Sequence, residues 1–299
     1  EESIPSCHIY MEAQVFTPDS KRLIVHRAAT PHGPRRGDSE HAYLLCDLEN
    51  EGELSPLVTE KGSTGPSVSP DGEWLYYFVD ETELDAGRLI LKRVRLDGAD
   101  RETIHVLDRP ARNAPSRISR IYPLSTISSD GNRIAISGFL GDGKTVPPPF
   151  GLLVYHIDDP EPAVVLRGPD WTNIHPQYCR NVDPEASHDI LVQQNHGAVF
   201  DAAGHCERSV GLLAHDETGA DIHVVRDDGT NLRNMPWGRD GQEFCEGHQC
   251  WRGESAKAGI TSAGTAELGE CRLVEGQWTR FHGHIGAETP GGRRNILSR

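Results

Sequence analysis

The chain has no stretch of the roughly 18 consecutive apolar residues that a membrane-crossing helix requires, and no membrane partner is expected. Apolar residues rarely recur at helical spacing, and the hydrophobic share is a modest 36%, which suits short strands joined by turns. Lysine is scarce, at five of the 30 basic residues, and acidic residues prevail to a net charge of −15. That balance excludes general nucleic-acid binding, which needs phosphate-neutralising side chains. The prevalence of arginine over lysine reads as coding bias, although arginine also forks a carboxylate well. The seven cysteines form no Cys-x-x-Cys pair and are odd in number. Most are therefore expected to be buried small hydrophobes in a reducing, cytoplasmic compartment. Glu1-Glu2-Ser3-Ile4-Pro5 lacks the basic and apolar regions of a secretory leader. No Gly-x-Ser-x-Gly nucleophile motif is present, and no carboxylates form a recognisable glycosidase pair.

What the chain does have is punctuation. Phe16-Thr17-Pro18-Asp19, Val68-Ser69-Pro70-Asp71-Gly72 and Ile127-Ser128-Ser129-Asp130-Gly131 each lead into an apolar stretch. Partner hairpins turn at Asp47–Gly52, Asp97-Gly98, Asp158–Glu161, Asp227-Asp228-Gly229 and Glu275-Gly276. A period of roughly 40–60 residues built of short strands and Asp-Gly turns predicts an all-β fold, a β-propeller with one four-stranded blade per repeat. Length alone would suggest about two domains, but stacked blades make residues 1–299 one expected domain. It would hold five blades and part of a sixth near 282–299. Loops are expected outside the sheets at 28–41, 141–149 and 198–220. Gly141-Asp142-Gly143-Lys144-Thr145 lacks full phosphate-loop spacing and reads as a turn.

Histidines supply the candidate chemistry. His248 follows Gly247, which permits close approach of another group, and stands beside Trp251 and Arg252, an apolar wall and a carboxylate fork. It reads either as a base or as an inter-blade hydrogen-bonding residue, and the residues alone leave both open. His282 and His284 are spaced so that both fall on one side of a strand, which suits half of a Mn, Fe or Zn site or a plain surface pair. Cys245-x-x-His248-x-Cys250 fits no standard structural-zinc spacing. His175 and His196 each end a polar strand stretch, and singly such residues are commonly structural.

Four segments occur in a telling order: Ile174-His175-Pro176-Gln177-Tyr178, Gln193-Gln194-Asn195-His196-Gly197, Val224 to Asn231 with its Asp-Asp-Gly-Thr turn, and Gly247-His248-Gln249-Cys250-Trp251. Together they resemble the oligogalacturonate lyases, polysaccharide lyase family 22. The resemblance runs from about Cys7 to Arg299, with the specific matches between 174 and 286. It implies a seven-bladed β-propeller that cleaves short pectin fragments by β-elimination, with manganese or a similar divalent cation and a histidine base. Carried over, the base falls on His248 and a metal ligand on His284, with His282 an extra. Substrate contacts are expected from His196, Arg208, Arg226 and Arg252. Two features depart from the family. A Gln-x-x-His-Pro-His-type ligand motif has no counterpart, and Asp221 stands about where the family carries a substrate arginine.

The chemistry is consistent with such a substrate. The C5 proton of a uronate is weakly acidic, so its removal needs charge neutralisation at the carboxylate and a base within reach. A net charge of −15 repels a polyanion at long range, so a locally positive funnel is required. Two rivals remain from other classes. One is a non-catalytic TolB-like propeller that binds partners or sugars. The other is a propeller hydrolase with its catalytic domain elsewhere.

Overall fold

The structure, a computed structural model, describes residues 6–10, 12–28, 41–159, 161–208, 219–238, 249–251, 253–254, 257–259, 271–273 and 278–279. Five four-stranded antiparallel sheets occupy them, each a blade of the propeller. Blade 1 holds β1 (Ser6–His8), β2 (Arg22–Arg27), β3 (Ala42–Asp47) and β4 (Glu53–Val58). Blade 2 holds β5 (Ser63–Val68), β6 (Trp74–Glu83), β7 (Ala86–Arg95) and β8 (Arg101–Leu107). Blade 3 holds β9 (Arg120–Ile127), β10 (Arg133–Phe139), β11 (Phe150–His156) and β12 (Ala163–Gly168). Blade 4 begins with β13 (Gln177–Tyr178) and β14 (Asp189–His196). A separate hairpin, β15 (Val199–Phe200) and β16 (Cys206–Arg208), then intervenes before β17 (Gly219–Arg226) and β18 (Arg233–Gly238) complete the blade. Blade 5 holds β19 (Cys250–Trp251), β20 (Lys257–Gly259), β21 (Cys271–Leu273) and β22 (Trp278–Thr279). Among the described residues the only helical element is a 3-10 turn, Ala186–His188. No helix among them is long and apolar enough to cross a membrane.

Side-chain alternation explains the stacking, because successive residues of a strand face opposite sides. Along β6, Leu75, Tyr77 and Val79 join Ile24, Tyr43 and Val58 of blade 1. Tyr76 and Phe78 instead meet Ile134, Ile136, Leu153 and Tyr155 of blade 3. In turn Phe150, Leu152 and Val154 of β11 pack on Ile190, Val192 and Val225 of blade 4. Leu191, Ile222 and Val224 then face Trp251 of blade 5. A strand apolar on both faces, such as the wholly buried β10, is therefore what a blade between two blades demands. The outer strand β4 is exposed over its first four residues.

The repeated turns are chemically alike. Thr17, Ser69 and Ser128 each donate N–H to the carbonyl of the residue five positions on, at 2.9 Å in every case (Arg22, Trp74 and Arg133). Their hydroxyls accept the N–H of those same residues at 3.1, 2.9 and 3.0 Å. The following Asp19, Asp71 and Asp130 each accept the N–H two positions on, at 3.1, 2.9 and 3.0 Å. Gly72 and Gly131 supply the left-handed backbone there, at φ of 71° and 75°. At 141–149 no strand forms, and Asp142 accepts the N–H groups of Lys144 and Thr145, both at 2.8 Å. The 198–220 insertion contains the β15–β16 hairpin as well as the first residues of β17. Of the expected 28–41 loop, residues 29–40 lie outside the described residues, as do the Glu275-Gly276 turn and the partial sixth repeat. Cys46, Cys179 and Cys206 carry free thiols. Cys179 is buried, with its thiol pushed up to about 11 by burial, whereas Cys206 is exposed rather than a core residue.

Candidate functional site

The inner strands are joined at one end of the axis by Gln14. Its Oε1 accepts the Ile127 N–H at 2.6 Å and the Thr126 hydroxyl at 2.8 Å, and its Nε2 donates to the Ile127 carbonyl at 3.2 Å. The Gln14 carbonyl takes the N–H of Val68 at 2.7 Å, and Thr126 Oγ1 takes the N–H of Tyr178 at 2.8 Å. Blades 1 to 4 are thus tied together through a glutamine side chain rather than a continuous ladder.

Two residues before Gln14 along the chain, at Glu12, polar side chains converge from three blades. Glu12 lies between β1 and β2 of blade 1, and its Oε2 accepts from His175 Nδ1 of blade 4. Asn173 Nδ2 lies 2.8 Å from His175 Nε2. Asn173 and His175 both have left-handed backbone, φ 47° and 51°, a conformation uncommon outside glycine. The inner edge of blade 4 therefore twists sharply as it enters β13. Tyr10 stacks edge-on against His175, 5.5 Å between ring centres. Burial and then the Glu12 charge push its phenol up to about 12. From blade 5, Gln249 Nε2 donates to the His175 carbonyl at 3.2 Å and Trp251 Nε1 donates to the Gln177 carbonyl at 2.7 Å. Gln177 Nε2 in return donates to the Gln249 carbonyl.

Beside this lies a second polar group. His196 sits between two carboxylates, with Nε2 at 2.8 Å from Asp221 Oδ2 and Nδ1 at 3.3 Å from Asp170 Oδ2. A ring nitrogen facing a carboxylate is favourable only as a donor. Both ring nitrogens of His196 therefore face protein carboxylates. Gln193 Nε2 donates to Asn195 Oδ1 and Asn195 Nδ2 to the Thr172 carbonyl, both at 2.6 Å. Trp171 meets the ring of His223 edge-on at 5.5 Å.

The expected site residues are not all brought together. His248, Arg252, His282 and His284 lie outside the described residues. Arg208 is exposed on β16, its Nε donating to the Gly197 carbonyl at 3.3 Å next to His196. Arg226 stands at the far end of β17 from His196, opposite Asp189 in register, and is paired with Glu185. It shares no site with His196, because Asp189 and His196 are the two ends of one extended strand. Among the described residues no three His, Cys, Asp or Glu side chains are grouped to hold a metal ion. His175 and His196 already turn both ring nitrogens to protein partners, so this donor set does not fit manganese. The expected cation thus rests on His284 and His282. Glu12, Asn173 and Gln249 were not signalled as site residues. Gln249 lies inside a quoted motif, but no motif marks Glu12.

No family model matches the chain, and no curated protein sequence does. Solved structures do. An oligogalacturonate lyase in complex with manganese superposes with a TM-score of 0.59 at 16% identity, covering 91% of this chain and 64% of the lyase. An oligogalacturonate lyase from Vibrio parahaemolyticus superposes with a TM-score of 0.57 at 18% identity, covering 90% of this chain and 62% of that one. A putative TolB from Agrobacterium tumefaciens reaches a TM-score of only 0.49 at 15% identity, too low to weigh for either reading. The chain spans less than two thirds of the length of the two lyases. At these identities the likeness establishes the fold: an all-β propeller of the kind found in oligogalacturonate lyases.

Proposed function

We propose that this propeller belongs to an enzyme that cleaves short uronate oligomers by β-elimination, with His248 as the base that removes the C5 proton. One observation carries the reading. The two most specific motif segments, 174–178 and 247–251, are about 70 residues apart in sequence and hydrogen-bonded to each other in space, through Gln177, Gln249, His175 and Trp251. Gln249, the residue after His248, is wholly buried in that junction, so the chain immediately beyond the base is anchored at the axis. A neutral histidine, titrating ordinarily at about 6.5, suits proton abstraction near neutral pH. Arg208 and Arg252 would take the uronate carboxylates, with His196 held between Asp221 and Asp170 next to the Gly197 carbonyl that Arg208 binds. In this proposal His284 and His282 would hold a manganese ion, which would supply charge neutralisation at the reacting carboxylate.

The second reading is a non-catalytic sugar- or partner-binding module. It is favoured by the engagement of both ring nitrogens of His175 and of His196. One assay separates the two. Full-length protein given digalacturonate and Mn²⁺ should generate a conjugated C4–C5 double bond, seen as ultraviolet absorbance. His248→Ala should abolish that signal while leaving fold and substrate binding intact, because the base acts in the transition state. Saccharide binding with no absorbance change in the unsubstituted protein would establish the non-catalytic reading instead.

A further inference from the structure

Around the Ile174–His175 peptide, three buried acceptor oxygens face no donor. The Glu12 side chain is 3% exposed, and its Oε1 has no hydrogen-bond partner. Gln249 is 0% and Gln193 8% exposed, and each leaves its Oε1 without one. Turning the amides over does not repair this. Gln249 Nε2 is needed by the His175 carbonyl and Gln193 Nε2 by Asn195 Oδ1, so a flip would set oxygen against oxygen. All three oxygens belong to one connected group. Glu12 binds His175 through its other oxygen, Gln249 binds the His175 carbonyl, and the Gln193 N–H donates to the Ile174 carbonyl at 2.8 Å.

The charge count points the same way. Asn173 Nδ2 lies against His175 Nε2, and Glu12 Oε2 meets Nδ1 of the same ring. Glu12 is a buried carboxylate whose described partner is a histidine, with no arginine or lysine beside it among the described contacts, and a buried carboxylate costs heavily unless positive charge is near. The missing species must satisfy acceptors only and must be small, since the atoms around it are closed to solvent.

We propose that a hard, oxygen-seeking cation of the calcium class binds here, held by Glu12 Oε1 with the side-chain carbonyls of Gln249 and Gln193. Carboxylate and amide oxygens are the donors such ions take. Because Glu12 lies in the β1–β2 connection of blade 1, Gln193 is in blade 4 and Gln249 enters blade 5, the ion acts as a clasp on the axial seam. It does not depend on the lyase reading and is distinct from any manganese on His284 and His282.

A single protein carboxylate implies modest affinity, roughly in the 10⁻⁴–10⁻³ M range. The test uses the full chain stripped with a chelator, Ca²⁺ titration followed by thermal melting, and Tb³⁺ luminescence sensitised by Tyr10. Expected are a Ca²⁺-dependent rise in Tm that Na⁺ at equal ionic strength does not give, and Tb³⁺ emission displaced by Ca²⁺. Glu12→Gln, which keeps the shape, should weaken both at least about tenfold, and the double variant His282→Ala/His284→Ala should keep both. No Ca²⁺ effect, an effect unchanged in Glu12→Gln, or one lost only in the double variant would overturn the proposal. So would a Glu12→Gln protein that is destabilised equally with and without Ca²⁺, since His175 would then be the cation that Glu12 needs.

Discussion

Gln14→Leu tests how the inner strands are held. The glutamine contributes three hydrogen bonds, two of them to both backbone groups of Ile127, and it is only 9% exposed. Leucine nearly fills the space but accepts and donates nothing. The Ile127 N–H and carbonyl are then left buried and unpaired, since the other side of β9 is already taken by β10. The Thr126 hydroxyl loses its acceptor, although it still receives the Tyr178 N–H. Each buried backbone group left unsatisfied costs about 1–3 kcal/mol. The two together predict a loss of about 3 kcal/mol, a large part of the 5–15 kcal/mol that holds a typical domain folded. Chemical denaturation followed by circular dichroism reads it as a lowered midpoint with the slope unchanged. Thr126→Val, which removes only the hydroxyl, should cost about 1 kcal/mol. A Gln14→Leu protein within about 0.5 kcal/mol of the unsubstituted one would mean that water replaces the glutamine, and the axial tie described above would be wrong.

The blades that could be read from the sequence are those whose turns carry a Ser or Thr and an Asp in fixed relation. The reason is local: hydroxyl and carboxylate together satisfy the turn's N–H groups, so the pattern recurs wherever the turn does. Blade 4 lacks it. There Cys179 and Asp189 close a longer loop containing the 3-10 turn, and Asp183 takes the N–H groups of Glu185 and Ala186. Its apolar strand was visible, but its turn was not. The polar end of the axis was only half visible. His175, Gln177, His196 and Gln249 stand in quoted motifs, yet their partners Glu12, Asp170 and Asp221 are chosen by the three-dimensional approach of segments up to 163 residues apart. Arg226 shows the converse limit. Named with His196 as an expected substrate contact, it is carried by an extended strand to the opposite end of β14 from His196. Asp221, where the resemblance calls for an arginine, gains its meaning from the structure, as one of the two carboxylates holding His196.

Phe78 faces blade 3 from β6, is 0% exposed and meets Tyr155 at 5.4 Å between ring centres. Phe78→Ala should cost about 3–5 kcal/mol in chemical denaturation, and a loss below about 1 kcal/mol would show that the blade 2–3 seam is not well packed. The acid limb of stability should depend on Asp130. Partial burial alone would raise its pKa, but the Ser128 hydroxyl, the Asn132 N–H and Arg133 outweigh that and hold it below the usual carboxylate range. Folding therefore favours the ionised form. Its contribution is complete above the unfolded value of about 3.9 and is lost as pH falls through the lower folded value. Asp130→Asn removes that dependence and keeps the shape of the turn. Melting temperatures of the two proteins should differ most near neutrality and converge as pH falls below about 4. A difference that stays constant across that range would mean the carboxylate charge plays no part in the turn, and that the side chain's geometry alone closes it.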